Sequence, residues 1–195
     1  MNNPVSAIVT CHNESPNIDR VLQSLTWCDE VLVVDSYSTD DTLDKARQYD
    51  TRILQREYLN PADQKNWAMQ QAVHDWVLIL DADEEVTPGL KEEIQSLLQG
   101  GIDNKAGYWI KRNNYFMGRH IRYSGWQRDK VIRLVDRRLC RYPEQYVHEE
   151  IEADGEVGTL RERINHYTFR DLAHYNAKLD RYARWSAIDK DPVTG

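Results

Sequence analysis

The chain has 195 residues, 41% hydrophobic and 29% charged, a balance that fits one globular domain and excludes both a disordered chain and a polytopic membrane protein. No run approaches the roughly 18 apolar residues of a membrane span, and the opening "MNNPVSAIVTCHNE" has no basic segment ahead of its short apolar run, so a cytoplasmic location is expected. The net charge of −7 hides a division: residues 111 to 141 carry ten Lys and Arg against two Asp, and the rest is strongly acidic. Such a segment points to an anionic partner, whether ligand phosphates, a phosphorylated acceptor or a lipid surface, with a solvated strand face as the plain alternative. Cys11, Cys28 and Cys140 are odd in number and lack CxxC spacing, which favours reduced thiols over disulfides or structural zinc.

Along the chain, "VSAIVT" (5–10) predicts a buried strand, and "ESPNIDRVLQSL" a helix with Ser15-Pro16 as its cap and first turn. "EVLVVDS" (30–36) is a second strand, followed by a helix in "STDDTLDKARQY" capped by Ser or Thr. "TRILQ" (51–55) is a third strand, "PADQKNWAMQQAVH" (61–74) a helix opened by Pro61, and "WVLIL" a fourth strand. A helix then starts at Thr87-Pro88, with Leu90, Ile94, Leu97 and Leu98 on one side and glycines at its end. This alternation predicts an α/β fold with an open, mainly parallel sheet covered by helices on both faces. From about Ala106 shorter strand-like segments, "GYWIKRN", "KVIRLVD" and "RLCRYP", suggest a smaller β-rich region, and "FRDLAHYNAKLDRYARWSAIDK" a C-terminal amphipathic helix with Leu172, Tyr175, Leu179, Tyr182 and Trp185 on one side.

Ligands of open parallel sheets bind beyond the carboxyl ends of the strands. Three of those ends are polar: "TCHNE" (10–14), "DSYST" (35–39) and "DADEE" (81–85). The last puts four carboxylates in a small volume, where like charges repel unless a cation lies between them. Asp81 and Asp83, on one side of an extended backbone, suit Mg²⁺ or Mn²⁺ with positions left for phosphate oxygens; the plain alternative is one helix-capping Asp among solvated neighbours. There is no GxxxxGK[ST] and no GxGxxG, so a nucleotide would need other contacts. Asp35 and Ser36 suit a base or ribose, and Lys65 a phosphate. A phosphatase using Asp81 as nucleophile and a non-catalytic sugar- or lipid-binding module are the competing readings. Nucleic acid is not favoured, since no recognised binding motif accompanies the basic tract.

In order, "VTCHNE", "VVDSYSTDDT", "QKNWA" and "LILDADEE" resemble the successive signatures of the inverting, nucleotide-sugar-dependent GT-A glycosyltransferases of family two. "GYWIKRNNYFMGRHIRYSGW", "DKVIRLVDRR", "YVHEEIE" and "INHYTF" are similar, more narrowly, to bacterial lipopolysaccharide-core β-1,4-glucosyltransferases. The resemblance runs to about Trp185. It implies one GT-A domain over 1–195, with a nucleotide-binding half (1–100), an acceptor-side half (101–170) and a C-terminal helix (171–195). It further implies Thr10, Asn13 and Glu14 along the nucleotide, Asp35 and Ser36 at uracil and ribose, Lys65 and Asn66 near the diphosphate, and Asp81 and Ala82 against the donor. Asp81, Asp83 and His166 would hold the cation. Many relatives have a second Asp where this chain has Ser36. The general base is expected at Glu149, with Glu150 and Asp129 as alternatives. Of Tyr108, Trp109, Tyr115, Phe116, Tyr123 and Trp126, at least half are expected in the core and the others could stack on sugar rings; interleaved with Arg112, Arg119, Arg122 and Arg128, they suit a phosphorylated sugar acceptor. UDP-glucose as donor, a lipopolysaccharide inner-core acceptor and peripheral contact with the inner membrane complete what the resemblance implies.

Overall fold

The computed structural model describes residues 3–102, 104–123, 125–143, 150–169, 171–173, 175–176, 179–180 and 183. Its first half is built on Val5–Cys11 (β1), Glu30–Asp35 (β2), Arg52–Gln55 (β3) and Trp76–Asp81 (β4), which pair in parallel in the order β3-β2-β1-β4. Their near-continuous apolar runs follow from burial on both faces. In β1, Ala7 and Val9 enter one core and Ile8 the other; in β4, Leu78 and Leu80 divide in the same way from Val77 and Ile79. The first core is closed by Ile18–Gln23 (α1), Thr42–Ala46 (α2) and Pro88–Gly100 (α4), the second by Pro61–Gln71 (α3). Thr10 pairs with Asp81, and Cys11 with Asp35, so the polar strand ends lie level along one edge.

Local signals were read unevenly. Asn60 caps α3 by accepting from Asp63 N at 2.8 Å, and Thr87 caps α4 by accepting from Leu90 N at 3.2 Å. Helix α3 stops at Gln71, short of the expected 74, because Ala72 turns to extended backbone. Ser15-Pro16 does not cap α1; the helix begins at Ile18, after Asn17, without a side-chain cap. Nor does a hydroxyl cap α2. Asp40 accepts from Thr42 N at 3.0 Å, and the Thr42 hydroxyl, buried, accepts from Glu14 N at 2.8 Å.

The second half departs further from expectation. Two of its strands are long, Lys105–Phe116 (β6) and Glu156–Phe169 (β11), and they pair in parallel. Glu84–Val86 (β5), the two-residue Arg119–His120 (β7), Lys130–Asp136 (β8), and the pair Cys140–Arg141 (β9) with Glu152–Ala153 (β10) complete the strands. The main sheet runs β3-β2-β1-β4-β8-β6-β11-β5, with β8 antiparallel to both β4 and β6, and β5 antiparallel to β11. Strand β5 was not expected: Glu84 and Glu85 look like solvated residues but open a strand whose Glu84 pairs with His166. Most of the expected C-terminal helix lies outside the described residues. Within them, Tyr175 packs edge-on against Phe116 and Phe169 at 5.6 and 4.9 Å, whereas Leu172 and Leu179 are exposed.

Gly158 faces Tyr108 across β6 and β11, and a Cβ there would stand 2.6 Å from the Tyr108 ring. That ring is 6% exposed and packs 6.0 Å from Trp76, so it has no free path of retreat. Gly158→Ala is expected to destabilise the fold by about 1–3 kcal/mol, the usual range for overpacking. A denaturant midpoint equal to that of the unmodified chain would show that the two strands yield instead.

Candidate active site

A cavity of ≈1190 Å³ opens along the carboxyl edge of the parallel strands, between their tips and the second half of the sheet. On its β4 side, the side chains of α3 and β8 meet the acidic segment. Asp81 lies 3.2 Å from Lys65 Nζ and 2.5 Å from Arg133 Nη2, with Thr10 Oγ1 at 3.5 Å. The same Arg133 nitrogen donates to Glu84 Oε1 at 2.8 Å, and Arg112 stands 3.5 Å from that oxygen. Glu84 also accepts from Asp81 N at 3.1 Å, closing a tight turn over Ala82 and Asp83. Burial by itself would raise the Asp81 carboxyl, but the charges of Arg133 and Lys65 outweigh it and hold it well below the ordinary carboxylate range. Asp81 is therefore neutralised by the protein's own cations.

Asp83 has a different surrounding. Its Oδ2 lies 3.6 Å from His166 Nε2, and its backbone oxygen accepts from Tyr167 N at 2.8 Å. Asn114 fixes the imidazole: its Nδ2 donates to Asp129 Oδ2 at 2.8 Å, which leaves Asn114 Oδ1, 2.7 Å from His166 Nδ1, as an acceptor. Nδ1 therefore carries the proton, and in the neutral ring the Nε2 lone pair faces the Asp83 carboxylate. Two electron-pair donors facing each other across 3.6 Å suit a divalent cation, one hard oxygen and one imidazole nitrogen, with phosphate oxygens completing the shell. Asp81 does not join them in this arrangement: among the described residues no three His, Cys, Asp or Glu side chains gather at ligand distance. Its engagement with Arg133 and Lys65 is the physical reason.

Asp129 is bound bidentately by Arg112 at 2.8 and 2.9 Å. Burial would raise its carboxyl, but the hydrogen bonds and charge of Arg112, with Asn114, hold it below the ordinary range. A carboxylate so held takes up a proton poorly, which weakens Asp129 as a general base. Glu149 lies outside the described residues. Glu150 is exposed and lines the cavity.

Thr10, Glu14, Ser36, Lys65, Asp81, Ala82, Asp83 and His166 all line the cavity. Three other candidates serve different ends. The Asp35 carboxylate is fully buried, accepting from Ser38 N at 3.0 Å, Ser38 Oγ at 2.5 Å and Gln55 Nε2 at 3.0 Å; it braces the loop after β2 and does not line the cavity. Asn13 takes a left-handed backbone, φ 55°, and its side-chain oxygen accepts from Thr39 N at 2.8 Å, tying the loops after β1 and β2 together. Asn66 does not line the cavity and exchanges hydrogen bonds of 2.8 Å each with the backbone N and O of Tyr142.

The aromatic residues divide as well. Tyr108 is core; Tyr115 stacks on Tyr167 and His120; Phe116 packs on Phe169; Tyr123 is exposed; Trp109 and Trp126 line the cavity, with Lys130 over the Trp109 ring at 4.1 Å. Sequence reasoning missed Arg133, Asn114 and Gln64. For Arg133 a signal existed: a charged residue between Ile132 and Leu134 of an apolar strand demands a buried counter-charge.

A parallel sheet with polar loops at its tips, joined to a mixed half that carries a histidine to the acidic turn, is the GT-A fold of glycosyltransferases. Residues 6–160 match the Glycosyl transferase family 2 model, and the chain belongs to that family. Its curated relatives include the "Lipopolysaccharide core biosynthesis glycosyltransferase LpsC" of Rhizobium meliloti (strain 1021), 32% identical over 164 residues, which are 81% of this chain and 60% of LpsC. Among solved structures, S. aureus TarS 1-349 in complex with UDP-GlcNAc superposes with a TM-score of 0.64 at 19% identity, covering 84% of this chain and 58% of TarS 1-349. The mannosyltransferase PcManGT from Pyrobaculum calidifontis, in complex with GDP-Man and Mn²⁺, gives 0.64 at 18%, covering 95% and 62%. Family membership sets aside the phosphatase reading.

Two predictions follow from the charges. Arg133→Met leaves Asp81 and Glu84 without their buried partner and is expected to lower stability by about 3–5 kcal/mol in urea unfolding; a loss under about 1 kcal/mol, the surface-pair value, contradicts that role. The Asp129 carboxyl is depressed in the fold relative to an unfolded value near 3.9, so its pairing stabilises fully above that value and is lost as pH falls through the folded one. Asp129→Asn should thus be less stable than the parent at pH 7, and the gap should close as the pH falls below about 4. A gap constant from pH 7 to 3 would show that the pairing contributes nothing.

Proposed function

We propose that this chain carries the catalytic centre of a metal-dependent inverting glycosyltransferase that moves a hexose, glucose by resemblance, from a UDP-sugar to a sugar of the lipopolysaccharide inner core. The observation that carries the reading is the Asp83–His166 pair, 3.6 Å apart, beside Lys65 and the Arg133-bound Asp81 at the tips of parallel strands. LpsC supports the acceptor class by its name, and the Mn²⁺ and GDP-Man bound by PcManGT support a divalent ion with a nucleotide sugar. A cation held by Asp83 and His166 would stabilise the charge that develops on the departing diphosphate.

The side chains of this chain do the rest. Lys65 exchanges its contact with Asp81 for a diphosphate oxygen and screens the charge that grows there as the sugar bond breaks. Asp129, through Asn114, keeps the His166 ring turned so that Nε2 and not Nδ1 faces Asp83. Inversion requires a base on the face of the sugar opposite the leaving group; Glu149 is that base by resemblance, and of the alternatives that line the cavity, Glu150 and Asp129, Glu150 is preferred because Arg112 holds Asp129 as a carboxylate. Trp126 at the cavity wall and the exposed Arg119, Arg122 and Arg128 nearby in sequence form a basic, aromatic approach suited to a phosphorylated glycolipid. Among the described residues no helix is long and apolar enough to cross a membrane; the basic approach suits peripheral, electrostatic contact with an anionic bilayer.

The test is transfer from radiolabelled UDP-glucose to a heptose-containing inner-core lipid with Mn²⁺, with the anomeric configuration of the product read by NMR. Asp83→Asn is expected to reduce turnover by roughly 100-fold or more. The proposal is wrong if no UDP-hexose is transferred or hydrolysed, or if Asp83→Asn turns over at the parent rate.

A further inference from the structure

Gln64, on α3, is 1% exposed and lines the cavity. Its side-chain nitrogen donates to Ser36 Oγ at 3.1 Å, while its carbonyl oxygen is buried without a hydrogen-bond partner among the described residues. A buried polar atom left unpaired keeps the cost of its lost hydration with nothing to offset it. At the wall of a binding cavity, such an atom marks the place where a ligand's donor completes the pair.

Its place in the sheet says which part of a ligand that donor belongs to. Ser36 follows β2, and β2 is two strands away from β4 in the order β2-β1-β4. With strands about 4.8 Å apart, the Ser36–Gln64 pair lies roughly 10 Å along the edge from the acidic turn. A nucleoside diphosphate with its phosphates at the β4 tip spans that interval with its ribose and brings its base to β2. Lys65, the next residue of α3, reaches Asp81 at the near end, so successive residues of one helix address the two ends of the ligand. Asp35 is not available to the base, since its carboxylate is occupied by Ser38 and Gln55.

We infer that Gln64 is the residue that reads the nucleobase: its carbonyl oxygen accepts the imide N3–H of uracil, and the Ser36 hydroxyl, which accepts from Gln64 and keeps its own hydrogen, donates to an adjoining uracil carbonyl. The pair presents an acceptor beside a donor, the complement of the uracil edge. Cytosine fails the match, because its N3 lone pair would face the Gln64 oxygen. This inference rests on the nucleotide-sugar donor reading above.

Calorimetric titration of the chain with UDP, CDP and N3-methyl-UDP, each with Mn²⁺, tests it in the unmodified protein and in Gln64→Met. In the unmodified protein CDP and N3-methyl-UDP are expected to bind about ten-fold more weakly than UDP, the equivalent of one hydrogen bond. Gln64→Met should bind UDP about ten-fold more weakly and no longer distinguish it from N3-methyl-UDP. Equal affinity of the unmodified protein for UDP and N3-methyl-UDP overturns the inference, as does a methylation penalty that persists in full in Gln64→Met. Should Gln64→Met lose its cooperative melt, the N3-methyl comparison in the unmodified protein decides alone. If that protein binds no nucleoside diphosphate, the donor reading itself falls; UDP binding without dependence on N3 removes only the role of Gln64.

Discussion

Arg133, 4% exposed, holds Asp81 at the end of β4 and Glu84 at the start of β5 with a single terminal nitrogen. The Arg133 guanidinium and the Glu84 carboxylate, both out of water, are stable only together, since either alone would be an uncompensated buried charge, and the partly exposed Asp81 shares the same guanidinium. The set ties β4, β5 and β8 at one point. It thereby fixes the turn through Ala82 and Asp83 and commits Asp81 to the protein's own cations. Lys65 and Arg112 extend the same cluster to α3 and β6, so that four separate segments of the chain converge on the cavity floor.

The histidine side of the cavity is ordered by a relay of hydrogen bonds in place of charge. Arg112 grips Asp129, Asp129 orients the Asn114 amide, and that amide sets the imidazole tautomer of His166. Each link is a short, directional contact between side chains that project from β6, β11 or the turn before β8, and the parallel pairing of β6 with β11 aligns Asn114 with His166. The relay shows why a carboxylate near the reaction centre need not be a base. Asp129 spends its acceptor capacity on positioning, and the charge of Arg112 makes it reluctant to take a proton.

Polar residues at the strand tips likewise divide into those that shape the loops and those that face the cavity. Asp35, Asn13 and Asn66 occupy the positions that a motif comparison marks for the ligand, yet each satisfies backbone or side-chain donors of a neighbouring loop. They brace the loops around the cavity, whereas Ser36, Gln64 and Lys65 line it. Asp35 and Ser36 are adjacent, and only the direction of the side chain at the strand end separates the brace from the contact.

The parallel half was legible in the sequence because its signals are local: continuous apolar runs of strand length, Pro and Thr at helix starts, and polar residues where each strand ends. The acidic turn after β4 was legible for the same reason, as a concentration of like charge that needs a cation. The sequence alone did not reveal which cation meets which acid. Arg133 lies 52 residues from Asp81, and Asn114 lies 52 from His166, and no periodicity reports a contact at such a separation. Strand β5 and the long β6 and β11 were misjudged because their residues, polar and interrupted by bulges, become strands only through the partners they pair with. Residue type and local pattern thus determined the scaffold and the chemical groups available at its edge. The tertiary structure decided their assignment, because a buried charge or amide takes its role from whichever partner the fold brings within hydrogen-bonding distance.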